Sequence, residues 1–141
     1  MNALKFSVPG QPVAKGRPRS FVRAGRVGHH TPEKTVRYEN LVAWHAAQAM
    51  VGRTLFEGPV QLTVSAWFQI PASWPEKKKA SARFGNLRPA SRPDADNVLK
   101  AVSDAMNGVV YRDDAQAVHV TVIKRFADAP RVDIQVEEIR S

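Results

Sequence analysis

The sequence contains no cysteine among its 141 residues. This absence excludes a disulfide framework, a thiolate zinc site and a cysteine nucleophile, and it agrees with a reducing compartment. The sequence also lacks any apolar run that approaches the ~20 residues needed to span a membrane. Residues 1–10 alternate apolar and polar side chains and carry no hydrophobic signal core. We therefore expect a cytoplasmic protein that does not contact a membrane.

Acidic side chains are scarce in two windows of a chain whose net charge is +8. Residues 1–32 hold six basic side chains and no acid, and residues 76–92 hold six against Glu76 alone. Solvated loops on a basic protein are one interpretation, whereas a surplus of this size favours a polyanionic partner. The side chains that we expect to contact this partner are Lys15, Arg17, Arg19, Arg23, Arg26, Lys77, Lys78, Lys79 and Arg92.

Two segments have the period of an amphipathic helix. The first is predicted to begin at Thr31-Pro32 and to stop at Gly52. Its predicted core stripe is Tyr38, Leu41, Val42, His45 and Ala49. The second is predicted from about residue 94 or 95 to Asn107. Its predicted core stripe is Val98, Ala101, Val102, Ala105 and Met106.

Alternating apolar residues predict the strands. They occur at residues 4–8, 60–68, 118–122 and 132–136, with a turn near residues 128–130. Residues 11–30 are predicted to form a long loop or loose hairpin, and residues 72–92 a basic loop with one helical turn around residues 75–82. The element order β-α-β-α-β-β predicts a single α+β domain over residues 1–141. Its mixed, mainly antiparallel sheet carries two main helices.

Carboxylates gather where the second basic window meets the second helix. Asp94 lies at the predicted helix start, where it can simply cap the helix. Asp96 and Lys100 are four residues apart and share one helix face, and Asp113-Asp114 follows the helix. Such carboxylates repel one another when brought together, and their pKa values rise. A hard divalent cation such as Mg²⁺ relieves that repulsion, because it prefers oxygen ligands.

This acidic cluster between basic loops indicates phosphodiester hydrolysis. The reaction needs an activated water, a neutralised phosphate and a stabilised leaving oxygen, which carboxylate-held magnesium can supply. A neighbouring lysine such as Lys100 can neutralise charge at phosphorus or assist proton transfer. The basic loops would hold the phosphate backbone. An alternative is a DNA-binding module of a different class whose acidic site is unused.

Several motifs in order along the chain resemble the RusA-type Holliday junction resolvases. Residues 92–107 contain the pattern D-x-D-N-x-x-K followed by a helical D-A-M, and residues 113–116 read D-D-A-Q. A V-x-x-x-x-x-K strand follows at residues 118–124. Residues 9–19 resemble the opening of phage-type members.

The resemblance implies a homodimeric endonuclease that resolves four-way DNA junctions by paired, magnesium-dependent nicks in recombination and repair. It assigns Asp94, Asp96 and Asp114 as metal ligands and Lys100 as the essential lysine, and it favours Asp114 over Asp113. Mn²⁺ is an alternative metal, and no organic cofactor is implied. A prophage origin fits such a member. A flap- or fork-specific nuclease with the same residues remains a further interpretation.

Overall fold

The computed structural model describes residues 2–16, 19–30 and 32–140. The elements in chain order are β1 (Ala3–Pro9), β2 (Arg19–Arg23), β3 (Arg26–His30), α1 (Glu33–Ala49), β4 (Val60–Gln69), α2 (Glu76–Arg83), α3 (Ala95–Ala105), a 3₁₀ turn (Asp114–Gln116), β5 (Ala117–Ala127) and β6 (Arg131–Glu138). Among these described elements, none of the helices has the length and apolar character required to span a membrane.

One four-stranded sheet in the order β1-β6-β4-β5 forms the centre of the domain. β6 is antiparallel to both β1 and β4, whereas β4 is parallel to β5. The predicted α+β class and the mixed, mainly antiparallel sheet are confirmed. β5 and β6 follow one another in the sequence, yet β4 lies between them. The turn joining them is fastened to the end of β4, because the Gln69 side-chain amide donates to the Asp128 carbonyl at 2.9 Å.

The core lies between one face of this sheet and the two longer helices. Val60, Leu62, Val64 and Ala66 of β4 are fully buried, and their alternation with half-buried polar residues matches the predicted strand. All five residues of the predicted α3 stripe are buried as well. Burying each Val or Met side chain contributes roughly 1.5–3 kcal/mol, so this stripe fixes α3 against the sheet.

The predicted core stripe of α1 was partly wrong. The buried residues are Thr35, Tyr38, Val42 and Ala46, whereas Leu41 is 40% exposed. Thr35 was overlooked because a polar residue does not count in an apolar pattern. Its hydroxyl is buried because it accepts a hydrogen bond from the Gly16 N–H at 2.9 Å. The predicted Thr31 cap lies outside the described residues, and α1 ends at Ala49, before Gly52.

The two basic windows contain more regular structure than the sequence pattern indicated. Residues 19–30 form an antiparallel hairpin, β2–β3, whose turn has Ala24 at φ 51° and Gly25 at φ 76°. Positive φ at both central residues suits the right-handed twist of a hairpin. α2 has eight residues rather than one turn. Glu76 in its first turn and Arg83 in its last turn complement the helix dipole.

Tyr38 of α1 provides a test of how a buried hydroxyl affects stability. Within the described residues its hydroxyl has no hydrogen-bond partner. Burial raises its pKa from the usual 10.0 to about 12. The polar backbone of Val13 near the hydroxyl offsets this only in part, and its geometry does not make a hydrogen bond. The folded protein therefore keeps this proton after the unfolded chain releases it, and stability falls as the pH rises from about 10 to about 12.

We expect Tyr38→Phe to unfold at pH 7 with a free energy equal to that of the wild type or up to about 1 kcal/mol higher, measured by urea denaturation. The advantage of the variant should grow above pH 10, because phenylalanine has no proton to lose. Tyr111→Phe is the control. The buried Tyr111 hydroxyl donates to the Ser103 carbonyl at 2.9 Å, so its removal should destabilise the protein by about 1 kcal/mol. A loss in Tyr38→Phe as large as that of the control contradicts the prediction.

Candidate active site

The start of α3 presents two carboxylates to solvent. Asp94 is the N-cap residue, but its side chain makes no capping hydrogen bond. Its backbone carbonyl instead accepts the Val98 N–H at 3.1 Å. Asp96 lies in the first turn, and both side chains are exposed. The capping interpretation of Asp94 is therefore not supported, and both carboxylates are available to a ligand.

A groove of about 950 Å³ is lined by one of these carboxylates, that of Asp94. The N-terminal loop (residues 11–16), apart from Lys15, and the start of α1 line one part of it, and residues 92–94 with Asn97 line another. Its charged lining consists of Lys34, Arg92 and Asp94. The groove therefore combines two cations, suited to a phosphate backbone, with a carboxylate from the predicted site.

The N-terminal loop is held in place by backbone contacts. The Lys15 N–H donates to the Asn97 carbonyl at 2.9 Å, which fastens the loop to α3. Gly16 meets α1 so closely that an added Cβ would lie 2.9 Å from Pro32 Cγ and 3.0 Å from Thr35 Oγ1. Glycine is therefore required at this contact. The loop forms a fixed wall of the groove.

Lys100 has a different carboxylate partner from the one that sequence spacing indicated. Its ammonium group lies 3.1 Å from the Asp104 carboxylate, one helical turn after Lys100, whereas Asp96 lies one turn before it. The Lys100 side chain is 57% exposed. Asp104 was not predicted as a site residue. The signal that pointed to it was its position on the same helix face as Asp96 and Lys100.

Asp113 and Asp114 have separate roles in the structure. The Asp113 carboxylate accepts the Ala115 N–H at 2.9 Å and caps the 3₁₀ turn. Asp114 begins that turn, and its carboxyl group interacts electrostatically with that of Asp104 instead. Spacing alone left the choice between these two acids open. Asp114 is the acid of this pair whose carboxyl group is not used by the cap, and its assignment as a metal ligand stays a prediction.

The pKa values show that negative charge accumulates here. Burial raises the pKa of Asp114, and the interaction with Asp104 and the charge of Asp113 raise it further, against the opposing effect of Lys100. Burial also tends to raise the pKa of Asp104, but interactions with Lys100, Asp114 and Lys15 outweigh it and leave that pKa below its usual value. Asp114 therefore holds a proton more strongly than an ordinary aspartate. A nearby cation would remove this repulsion.

These oxygen donors would suit magnesium only if substrate phosphates and water completed its coordination, because they do not form a complete protein cage. Across residues 2–16, 19–30 and 32–140, no three His, Asp or Glu side chains are arranged to hold a metal ion together. The ligand set Asp94, Asp96 and Asp114 therefore stays a prediction. Magnesium usually keeps several waters and takes one or two carboxylates plus substrate phosphates. The exposed side chains of Asp94 and Asp96, and that of Asp114 once it has lost its proton, would offer oxygen ligands of that kind.

The predicted DNA contacts differ in how far the structure describes them. Arg17 lies outside the described residues, and for Arg19 and Arg23 only the backbone, in β2, is described. Arg26 is exposed in β3, and Arg92 is exposed beside the groove. Whether these side chains bind DNA stays a prediction.

The remaining predicted contacts lie on α2, with one exception. Lys77 and Lys78 are exposed, and the Lys78 ammonium lies 4.1 Å from the centre of the Trp74 ring. Lys79 lies 3.5 Å from Glu76. Lys15, by contrast, binds Glu39 at 2.8 Å and Asp104 at 3.4 Å. The ammonium group of Lys15 is therefore engaged within the protein.

Gln116 is a supporting residue that was noted only as part of the D-D-A-Q pattern. Its side-chain oxygen accepts the N–H groups of Arg112 at 2.9 Å and Asp113 at 3.1 Å. Its nitrogen donates to the carbonyls of Phe56 at 2.8 Å and Gly58 at 3.0 Å. One half-buried amide thus fastens the segment before β4 to the turn that carries Asp114.

A small α+β domain with exposed carboxylates and a lysine on one helix, beside a basic groove, has the composition of an enzyme that cleaves nucleic acid. The family model described as Endodeoxyribonuclease RusA matches residues 9–137. The chain therefore belongs to the RusA endodeoxyribonuclease family, which confirms the resemblance seen in the sequence motifs. It is also 40% identical over 141 residues to the "Uncharacterized protein YqaN" of Bacillus subtilis (strain 168), with 99% of each chain covered.

We expect Gln116→Ala to lower the free energy of unfolding by about 2–3 kcal/mol, because two backbone carbonyls and two N–H groups lose their partner together. Urea denaturation measures the change. Gln48→Ala is the matched control: Gln48 is exposed on α1, and its replacement should change stability by less than about 0.5 kcal/mol. A similar small change in both variants would mean that the Gln116 amide does not hold this segment.

Proposed function

We propose that this protein is a structure-specific endonuclease that resolves four-way DNA junctions by paired, magnesium-dependent nicks. The observation that carries the proposal is the RusA family match across residues 9–137. It is supported by two exposed carboxylates at the start of α3, Asp94 and Asp96, and by the half-exposed Lys100 on the same helix. A flap- or fork-specific nuclease would use the same residues, and only the substrate distinguishes the two activities.

Each site residue has a defined role in this proposal. Asp94, Asp96 and Asp114 would hold Mg²⁺, or Mn²⁺ in its place, and a metal bound there would acidify water and neutralise the scissile phosphate. The Lys100 ammonium group is accessible and would donate to a phosphate oxygen as negative charge develops on it. Asp113 would take no direct part, because its carboxylate caps the 3₁₀ turn.

The basic surfaces would bind DNA by its backbone rather than by its sequence. Arg92 and Lys34 line the groove that contains Asp94. The exposed lysines Lys77 and Lys78 on α2 would add further positive charge for contacts with the backbone. Phosphate neutralisation of this kind depends strongly on salt and carries little sequence information. Recognition would therefore depend on the shape of the branched substrate.

We expect Asp96→Asn and Asp114→Asn to abolish cutting of a labelled four-way junction in Mg²⁺. Junction binding without metal should survive or tighten, because each change removes negative charge that repels phosphate. Asp113→Asn is the matched control and should still cut, since asparagine also caps a helical turn. Denaturing gels report the nicks, and gel shifts report binding.

Cleavage assays of the wild-type protein distinguish a junction resolvase from a flap or fork nuclease and from a binding module without activity. Symmetric paired nicks across several junction sequences support resolution. Cutting confined to flaps or forks favours the alternative nuclease, and junction binding with no cutting in Mg²⁺ or Mn²⁺ favours a non-catalytic binding module. Either of the last two results contradicts the proposed resolvase activity.

We also propose that the protein acts as a homodimer, because two symmetric cuts need two sites and a two-fold dimer supplies them. The outer side of α1 exposes Val36, Leu41 and Trp44, at 40%, 40% and 58%. The edge strand β5 exposes Val118 and Val120. These are the apolar positions left over on a helix and on an edge strand, where a dimer surface is expected.

We expect light scattering to give twice the chain mass of 15.6 kDa. Trp44→Glu should shift the protein toward the monomer and reduce paired nicking if α1 forms the dimer surface. Phe84→Glu is the control, because Phe84 is 81% exposed and lies after α2, on a different element. A wild-type monomer at the concentration used for cleavage contradicts the dimer. Dimers of Trp44→Glu would instead exclude the α1 surface.

A further inference from the structure

Four side chains of alternating charge connect α1 to the candidate site. Lys15 of the N-terminal loop lies 2.8 Å from Glu39 of α1 and 3.4 Å from Asp104 of α3. Asp104 in turn lies 3.1 Å from Lys100. The order Glu39–Lys15–Asp104–Lys100 alternates negative and positive charge. Only the last member belongs to the residues assigned to catalysis above.

The first three members of this series are sheltered from solvent. The side chains of Glu39, Lys15 and Asp104 are 18%, 20% and 20% exposed, whereas Lys100 is 57% exposed. Burial lowers the pKa of Lys15, but the hydrogen bonds and charges of Glu39 and Asp104 outweigh it and leave that pKa above its usual value. Lys15 is thus a permanent cation behind Asp104. Its backbone is fixed too, through the Asn97 carbonyl.

The fixed position of Lys15 makes the Lys100–Asp104 ion pair more rigid. An exposed ion pair at i,i+4 on a free helix is weak, because water and salt screen it and both side chains lose freedom. Here one oxygen of Asp104 is held by Lys15 and the other faces Lys100. Asp104 therefore has little rotational freedom of its own. A flexible lysine bound to an immobile carboxylate is held in place more strongly than one bound to a mobile partner.

We propose that Asp104 is a positioning residue that holds the Lys100 ammonium group in place for phosphodiester cleavage, with Lys15 and Glu39 fixing Asp104 from behind. This inference rests on the proposed nuclease function. It gives Lys15 a role inside the protein in place of the DNA contact predicted from its basic window. It also accounts for a carboxylate that neither caps a helix nor belongs to the predicted metal ligands.

A cleavage experiment separates positioning from binding and from folding. Asp104→Asn keeps the shape of the side chain but removes the charge that attracts both lysines. Misplacing a reacting group by about 1 Å costs on the order of 100-fold in rate, so we expect kcat for junction cutting to fall roughly 10- to 100-fold. Junction affinity and the thermal midpoint should change little. A fall in affinity with an unchanged kcat, or unfolding of the variant, overturns the proposal.

Substitutions of Lys15 test whether its contact with Asp104 contributes to the positioning of Lys100. Lys15→Met should reduce kcat in the same direction as Asp104→Asn but less, and Lys15→Arg should recover most of it, because arginine can also bind both carboxylates. If Asp104 acts through Lys100, adding Asp104→Asn to a Lys100→Ala protein should cause no further loss in single-turnover cutting. Additive losses would show that Asp104 acts by a route other than Lys100, such as Asp114 or the substrate, and so would contradict the proposal.

A second readout does not depend on cutting. In the metal-free protein without DNA, ¹⁵N relaxation of the lysine ammonium groups reports how firmly each is held. Asp104→Asn should increase the mobility of the Lys100 group and leave that of Lys77 unchanged, since Lys77 is exposed on α2. Unchanged Lys100 mobility overturns the positioning role. Increased mobility in a protein whose wild type cuts no DNA would uphold the positioning of Lys100 and reject the nuclease function.

Discussion

The contact of residues 11–16 with α1 and α3 is the constraint on which the candidate site depends. The loop carries no regular secondary structure, so its place is set by a few specific bonds. The Lys15 backbone reaches α3 through Asn97, the Lys15 ammonium reaches both helices, and Gly16 fits against Thr35 with no room for a side chain. Because the same loop lines the groove beside Asp94, the geometry of the groove follows from this contact.

The site also illustrates a conflict between stability and function. Burial raises the pKa of Asp114, and the negative charges of Asp104 and Asp113 raise it further. A fold optimised for stability alone would replace one of them with a neutral residue. The four hydrogen bonds of Gln116 hold the turn that carries Asp114 in place despite this repulsion. Repulsive groups held by a rigid frame are a common arrangement where a ligand later supplies the missing charge.

Sequence reasoning succeeded where the signal was local and strongly periodic. The α3 stripe from Val98 to Met106 and the alternation along β4 were predicted correctly, because burial follows directly from the helical or strand period. The choice of partner for Lys100 was not predictable in this way. Asp96 and Asp104 are equally distant from it along the helix, and a long-range contact with Lys15 favours Asp104.

Long-range pairing explains the remaining differences. The position of β4 between β5 and β6 depends on hydrogen bonds between distant strands, which no local pattern encodes. The partner of Lys15 on α1 is 24 residues away, and the burial of Thr35 depends on Gly16, 19 residues before it. The binding of one metal ion by Asp94, Asp96 and Asp114 stays a prediction. It also depends on a long-range arrangement, because these acids lie on two separate segments of the chain.

The position of β6 in the sheet has a consequence for how the protein is made. β6 is the last strand of the chain, yet it joins β1 to β4, and the Ser7 side chain bonds to Asp133 across 126 residues of sequence. On a ribosome, β1 emerges first and has no neighbour in the sheet until nearly the whole domain has been synthesised. Pairings of such high contact order form slowly. The basic residues that follow β1 are therefore exposed on the nascent chain, without a completed sheet behind them, until β6 has been synthesised.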